Sequence, residues 1–504
     1  MKFARDLFFL VCSMGLVALY ALSVNGFPLD DSWIHQTFGR NLAQLGQWSF
    51  IPNDPVAAST SPVYTLLLSL GYKLNIPYMF WTHAIGVLQL TMAGMVASRM
   101  ADKAYPHRYS GLITGLAVIF SWHLVWSAAS GMETLLFGVF MMLGGYVAWG
   151  EGDANRVMTP KAVMLRGGVF GLVVAIGMAT RPEGILMGGV VGLGMLLARP
   201  HPHFRLTILW GVGAFLAFII GIAPYLWLNW DLNGTLLPNT NDAKFAEVVH
   251  LFEYPYLVRL REIVEPIIAG AQAFFILGAI YFIWMNRKKN RLMWLSLAPL
   301  AWAIGHILLY AARLPVPIQH GRYLIPMLPT FVAVGAIGMI AMVIEWRENM
   351  LGRVLSRALA LSTIATSLVF AFSLGLNAYV QDVAIINEEM VDMAKWVAEN
   401  LPPDELFATH DIGALGYFAS RPLLDTAGLI TPEVIPYITA DEPLWEFMRQ
   451  RGAVYFMAFP FQIPNRNPKD PRLCLIYQSP GKTILRLNEP KMSIYRFNWD
   501  GTSC

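Results

Sequence analysis

The sequence predicts a multi-pass α-helical membrane protein of about eleven transmembrane helices followed by a C-terminal extracytoplasmic α/β domain. Three observations predict it. Of 504 residues, 56% are hydrophobic and 14% charged, with a mean hydropathy of +0.49, more apolar surface than a soluble core can hide. Apolar stretches close to the roughly 20 residues that span a bilayer recur along the first three quarters of the chain. After Asn377 the composition turns ordinary.

The spans are read at Leu7–Ser23, Phe80–Ala97, Gly111–Trp126, Met132–Trp149, Met164–Ala179, Ile185–Ala198, Leu206–Trp227, Ile263–Trp284, Leu292–Ala311, Tyr323–Ile344 and Leu359–Leu376. Met1 to Ser23 has the pattern of a signal peptide, but the many spans that follow favour an uncleaved first helix. Thr65–Leu74 is short and apolar and follows Pro62. It reads as a helix lying in the interface within a first outer loop of residues 26–79, the alternative being a twelfth span. With eleven spans, seventeen Lys and Arg fall on the N-terminal side. The loops between spans on the other side hold only Arg40, Lys73, Arg181, Lys244, Arg259, Arg261, Arg313 and Arg322. That asymmetry predicts a cytoplasmic N-terminus and places the C-terminus outside.

Residues 1–378 thus form a transmembrane module and 379–504 a separate domain. There Ile385–Glu399 has helical periodicity, and Leu406–Thr409, Val454–Ala458, Leu473–Tyr477, Thr483–Leu487 and Met492–Phe497 read as strands. Cys474 and Cys504 share this domain and either pair in an oxidising compartment or stay free; Cys12 lies in the first span. The formal net charge of +3 gives no nucleic-acid signature, and none is expected as a partner.

The polar clusters gather in the loops on the outer side. Asp30-Asp31 follows the first span: either one carboxylate is held as a base or cation ligand, or the pair is an acidic start to a helix over Ser32–Leu45. Glu133 opens the fourth span, where it also suits the positive end of a helix. Arg181 and Glu183 flank Pro182 and read either as a functional pair or as partners across a tight turn. Asn239 with Lys244, and His320 with Arg322, complete the set, the last two equally suited to marking the interface. A mixed set of carboxylates and cations on one face is what group transfer from an anionic leaving group requires.

Asp30-Asp31-Ser32-Trp33-Ile34, Arg40-Asn41-Leu42-Ala43, Trp48-Ser49-Phe50 and Ser59-Thr60-Ser61-Pro62-Val63-Tyr64 together resemble the first outer loop of GT-C fold membrane glycosyltransferases. The likeness is closest to the bacterial arabinofuranosyltransferase-like branch with an Asp-Asp pair. It extends to Ser130-Gly131-Met132-Glu133-Thr134, Arg181-Pro182-Glu183-Gly184, Leu237-Pro238-Asn239-Thr240, Arg322-Tyr323-Leu324-Ile325-Pro326 and Asp411-Ile412-Gly413-Ala414-Leu415-Gly416. The resemblance implies transfer of a sugar, with inversion, from a polyprenyl-phosphate donor to an acceptor glycan, lipid or protein outside the cell membrane. It implies that a first-loop aspartate is the general base, Asp30 by preference, with Asp31 orienting it or binding the acceptor. Arg181, Lys244, His320 and Arg322 are then the donor-phosphate residues, and Glu133, Glu183, Asn239, His410 and Asp411 contact sugar or acceptor. His410 and Asp411 equally suit a simple turn before Gly413. No cofactor is expected, and a divalent metal is not favoured, because no carboxylate cluster stands beyond the Asp pair and the two glutamates. A polytopic lipid or sugar transporter is the rival, but its polar groups belong within the spans rather than at one face.

Overall fold

Long apolar helices dominate, and their outward stripes stay bare: Phe215, Ile220 and Trp227 are each more than 60% exposed, an apolar belt that suits lipid rather than water. The computed structural model describes residues 2–59, 61–153, 155–238, 240–501 and 504. In chain order the helices of the membrane part are α1 (Lys2–Ser23), α2 (Asp30–Leu45), α3 (Pro62–Lys73), α4 (Tyr78–Ala104), α5 (Ser110–Ile119), α6 (Trp122–Ala129) and α7 (Thr134–Trp149). They continue with α8 (Pro160–Thr180), α9 (Ile185–Ala198), α10 (Phe204–Asn233), α11 (Thr240–Val248), α12 (Tyr256–Ile268), α13 (Gln272–Asn286), α14 (Met293–Arg313), a short turn α15 (Ile318–Gly321) and α16 (Leu328–Glu345). Among the described residues eight helical stretches are long and apolar enough to cross a membrane, nine with the pair α5–α6. Asn290, at φ 50°, ψ −128°, separates α13 from α14 within the stretch Gln272–Arg313, and a shorter apolar stretch, Pro182–Ala198, includes α9.

Two predicted spans change shape. The stretch Gly111–Trp126 is bent by 57° between α5 and α6. Ile263–Trp284 is not one helix: Ile263 belongs to α12, and Gly270, at φ +94°, opens the break from which α13 starts. The predicted interfacial segment is helical as α3, with Leu66 and Leu70 exposed opposite buried Tyr64 and Leu68.

Small residues let the spans close. A Cβ at Gly167 or Gly171 of α8 would stand 2.0 or 1.9 Å from the carbonyl oxygens of Trp210 and Ala214 on α10, so the two backbones are in contact.

The last span, α17 (Met350–Val369), runs without interruption through α18 (Gly375–Ile386) into α19 (Asp392–Asn400), with π-turns at Phe370–Leu374 and Asn387–Val391. The second turn carries Glu388 and Glu389. Buried Glu389 accepts from Ser479 Oγ (2.6 Å) and Met492 N (2.7 Å), tying the rod to the terminal domain. The sequence-based boundary at 378/379 therefore falls inside a continuous helix.

That domain holds β3 (Phe407–Thr409), α20 (Gly413–Phe418), β4 (Leu423–Asp425), α21 (Asp441–Gln450), β5 (Tyr455–Ala458), β6 (Leu473–Gln478), α22 (Lys482–Arg486) and β7 (Ser493–Phe497); the first loop contributes the small hairpin β1 (Ser49–Ile51) and β2 (Asp54–Pro55). Its sheet has order β4-β3-β5-β7-β6, parallel across the first three strands and antiparallel beyond. The strand predicted at Thr483–Leu487 is instead α22: Glu388 accepts Thr483 N (2.7 Å) and Oγ1 (2.8 Å), and this cap starts a helical turn where the pattern alone suggested a strand. One face of the sheet packs on Trp445 and Met448 of α21. The other shares a core with Phe27, Trp33, Phe38 and Phe50, so the first loop and the terminal domain are buried against each other. Cys474 and Cys504 form a disulfide.

Candidate active site

Leu29 is extended, and α2 starts at Asp30 with both carboxylates in its first turn, where they favour the positive helix end. Successive helix positions point roughly 100° apart, so the two aspartates serve different neighbours. Asp30 faces the terminal domain: its Oδ2 accepts Gly413 N at 2.7 Å and its Oδ1 accepts Ala414 N at 2.8 Å, at the start of α20. Burial and the negative charge of Asp411 push its carboxyl up to about 7, against the pull of these two N–H groups. Asp31 faces inward and pairs with Arg322 Nη1. Burial alone raises a carboxyl, but Arg322 and Lys244 outweigh it and hold Asp31 below the usual range.

Asp31 lines a cavity of about 660 Å³, together with Glu133, Arg181, Glu183, Lys244 and Arg322. Arg181 donates to Glu133 Oε1 (2.9 Å), to Glu183 Oε1 (3.4 Å) and to Tyr310 Oη (2.7 Å), whose hydroxyl in turn donates to Glu183. At the centre stands Tyr323, its ring stacked on Tyr310 with centroids 5.6 Å apart. Three cations surround that ring: the guanidinium carbons of Arg322 and Arg181 lie 4.9 and 5.7 Å from its centroid, and Lys244 Nζ lies 5.5 Å away. Arg181 and Arg322 are neutralised by carboxylates, whereas Lys244, among the described residues, has no salt bridge. These side chains come from helix ends: Glu133 precedes α7, Arg181 follows α8, Tyr310 closes α14 and Arg322 precedes α16.

Six of the eleven predicted residues thus converge: Asp31, Glu133, Arg181, Glu183, Lys244 and Arg322. Asp30 stands behind them. His320 does not join: its Nε2 pairs with Asp382 at 2.8 Å between the rings of Trp122 and Trp126. His410 and Asp411 lie outside the cavity lining, in a latch against α11. His410 Nε2 meets Glu247 Oε1 at 3.0 Å and its Nδ1 meets Asp411 Oδ1 at 3.3 Å, while Gln462 donates to Asp411 (2.7 Å). Asn239 lies outside the described residues.

Sequence reasoning missed His35, Tyr310, Tyr323 and Arg313, which also line the cavity. His35 carried a signal, being one helical turn beyond Asp31, and it meets Glu133 Oε2 at 3.0 Å. Tyr310 carried none, as only the packing of α14 brings it to Arg181. Leu429 of the terminal domain is also in the wall, presented by a loop that buried Asp425 organises by accepting Ala427 N (2.8 Å) and Ile430 N (2.9 Å). Among the described residues no group of three or more His, Cys, Asp or Glu side chains is placed to hold a metal ion.

A multi-span helical part, a first loop opening on an Asp-Asp helix and a mixed sheet closing over that loop make up a GT-C fold. The solved structures that share it include ArnT from Cupriavidus metallidurans, bound to undecaprenyl phosphate and in the apo state. Each has a TM-score of 0.62 and 13% identity, over 98% of both chains. The arabinofuranosyltransferase AftD from Mycobacteria matches 98% of this chain but only 40% of its own length, with a TM-score of 0.51 and 13% identity. Residues 378–495 match a family described as a domain of unknown function, DUF8728. No curated protein matches the chain in sequence.

Proposed function

We propose that the chain is a membrane glycosyltransferase that takes a sugar from a polyprenyl-phosphate donor and transfers it, with inversion, to an acceptor glycan, lipid or protein. The observation that carries this reading is one cavity holding an ionised Asp31, the Arg322 paired with it and a Lys244 that makes no salt bridge among the described residues. The structures of similar fold support a polyprenyl-phosphate donor, ArnT having been seen with undecaprenyl phosphate.

Asp31 is the general base in this reading. Asp30, preferred from the sequence, has both oxygens engaged by Gly413 and Ala414, so it positions α2 against the terminal domain instead. The acceptor hydroxyl attacks the anomeric carbon, its proton passes to Asp31, and the bond to the lipid phosphate breaks on the opposite face. Lys244 meets the phosphate as a point charge, and Arg322 is shared between Asp31 and the departing oxygen, where negative charge accumulates. Glu133, Glu183 and Tyr310 hold Arg181 in place and offer acceptors to sugar hydroxyls. Because the charged groups sit at helix ends, the site suits a reaction at the membrane surface better than carriage through it. Loop charge supports a cytoplasmic N-terminus in the cell's inner membrane, and the Cys474–Cys504 disulfide supports an oxidising compartment for the terminal domain.

The test is transfer of label from a radiolabelled polyprenyl-phosphate sugar in reconstituted membranes. Asp31→Asn is expected to insert normally and lose about 10³-fold in rate, within the usual range for a general base. Full activity in that variant would sink the assignment.

A further inference from the structure

A second cavity, of about 290 Å³, lies at the far end of the bundle. Helices α7 and α14 connect the two places: α7 starts beside Glu133 and ends at Trp149, and α14 starts at the second cavity and ends at Tyr310 and Arg313. Its 21 residues put about 30 Å between them.

The far cavity is lined by Lys103, Trp149, Asn286, Lys289 and Ser296, with Phe282 as an apolar wall. Two ammonium groups face one small space, and among the described residues neither makes a salt bridge. Two carboxylates stand near Lys103: Glu151, already taken by Arg156 (3.2 Å), Arg166 (2.9 Å) and His201 (3.1 Å), and Asp153, which accepts Asn155 N at 3.1 Å and makes no salt bridge among the described residues. Trp149 is 7% exposed and stacked on Phe282, yet its Nε1–H has no partner among the described residues. Asn286 is fully buried, its Nδ2 donating to Phe282 O at 2.8 Å and its Oδ1 unpartnered among the described residues. Buried polar groups left unpaired cost about 1–3 kcal/mol each, and two of them belong to residues in the wall of a cavity that also has two cations, which marks a place suited to a polar occupant.

We infer that this cavity binds a phosphate group, held by Lys103 and Lys289 with the Trp149 indole as a third donor, while Asn286 Oδ1 takes a hydroxyl of the same ligand. The two cations supply the charge, the indole N–H the direction, and Phe282 with Leu292 and Leu295 an apolar margin. The volume suits a headgroup or small phosphate ester rather than a whole lipid. Two sources carry that chemistry, an anionic phospholipid of the adjoining leaflet and a soluble phosphate ester.

The full chain in phosphatidylcholine nanodiscs at constant ionic strength tests this by its thermal midpoint, titrated with glycerol 3-phosphate in one arm and with phosphatidic acid doped into the disc in the other. At least one probe is expected to raise the wild-type midpoint. A response to phosphatidic acid alone assigns a lipid headgroup, and a response to glycerol 3-phosphate assigns a soluble ester. The double variant Lys103→Gln/Lys289→Gln should need about tenfold more of that probe, and Trp149→Phe, which keeps the ring and removes only the donor, a similar increase. Lys244→Gln, in the other cavity, should leave the response unchanged. The inference falls if neither probe shifts the wild type, if the lysine double variant responds like the wild type, or if only Lys244→Gln abolishes the response.

Discussion

At Asp30 and Asp31 two identical side chains, adjacent in sequence, are driven in opposite electrostatic directions by what they touch. Asp31 gains two cations and stays ionised; Asp30 is enclosed near Asp411 and retains only two backbone donors. The consequence for stability has a sign. The Asp30 carboxyl titrates at about 7 in the folded chain and near 3.9 when unfolded, so between those values the folded state binds the extra proton. Its contribution is therefore most favourable at low pH and is lost as pH rises through 7. Asp30→Asn should flatten the pH dependence of the unfolding free energy between pH 5 and 8 by the order of 2 kcal/mol relative to wild type, read through the thermal midpoint. An unchanged slope would show that Asp30 does not titrate there. The Asp pair was legible in the sequence as a site, but which member does which task was not. That choice depends on α20, some 380 residues away along the chain.

Among the elements, α11 links the cavity to the terminal domain, presenting Lys244 to Tyr323 and Glu247 to His410. Burial disfavours a charged imidazole, yet the hydrogen bonds to Asp411 and Glu247 hold His410 protonated well above its ordinary range. Its stabilising contribution is present at low pH and fades only as pH rises through that elevated value. Glu247→Gln should loosen this latch, seen as faster amide hydrogen exchange across residues 240–248 and a several-fold, roughly 3- to 10-fold, lower kcat/KM with insertion unchanged. Exchange rates equal to wild type would remove the latch from the picture. Helix packing gives a second contrast. Gly171→Val would drive its Cβ into the backbone of α10 and should cost several kcal/mol, about 3 or more, while Gly189→Val, with nothing within 4 Å, should leave the detergent thermal midpoint nearly unchanged. Similar losses at both positions would mean that the α8–α10 contact is not the tight one. The spans were legible because bilayer thickness sets their length. The break at Gly270 and the bend after Ile119 were not, since each stretch stays apolar over most of its length, with Glu265 and Gln272 in one and Ser121 and His123 in the other as polar interruptions.

For the whole molecule, the continuous rod from Met350 to Asn400 and the shared core of Phe27, Trp33 and the sheet make the membrane part and the terminal domain one working unit. Orientation can be measured through the disulfide. In intact cells, Cys474 and Cys504 should resist a membrane-impermeant alkylating reagent until an external reductant is added, and then label. Labelling without reductant, or only after lysis, would contradict an outward terminal domain. The sequence by itself determined the membrane class, the multi-span helical part with its terminal α/β domain, the side on which the loop charges accumulate and most of the ionisable groups of the candidate site. These follow from hydropathy and charge, which act locally and leave a periodic record. Only the tertiary structure decided that Asp31 rather than Asp30 enters the cavity, that His320 and His410 are engaged elsewhere, and that Tyr310 and Tyr323 stand among the cations. Those outcomes depend on helix-end contacts between segments far apart in the chain, and no local pattern encodes them.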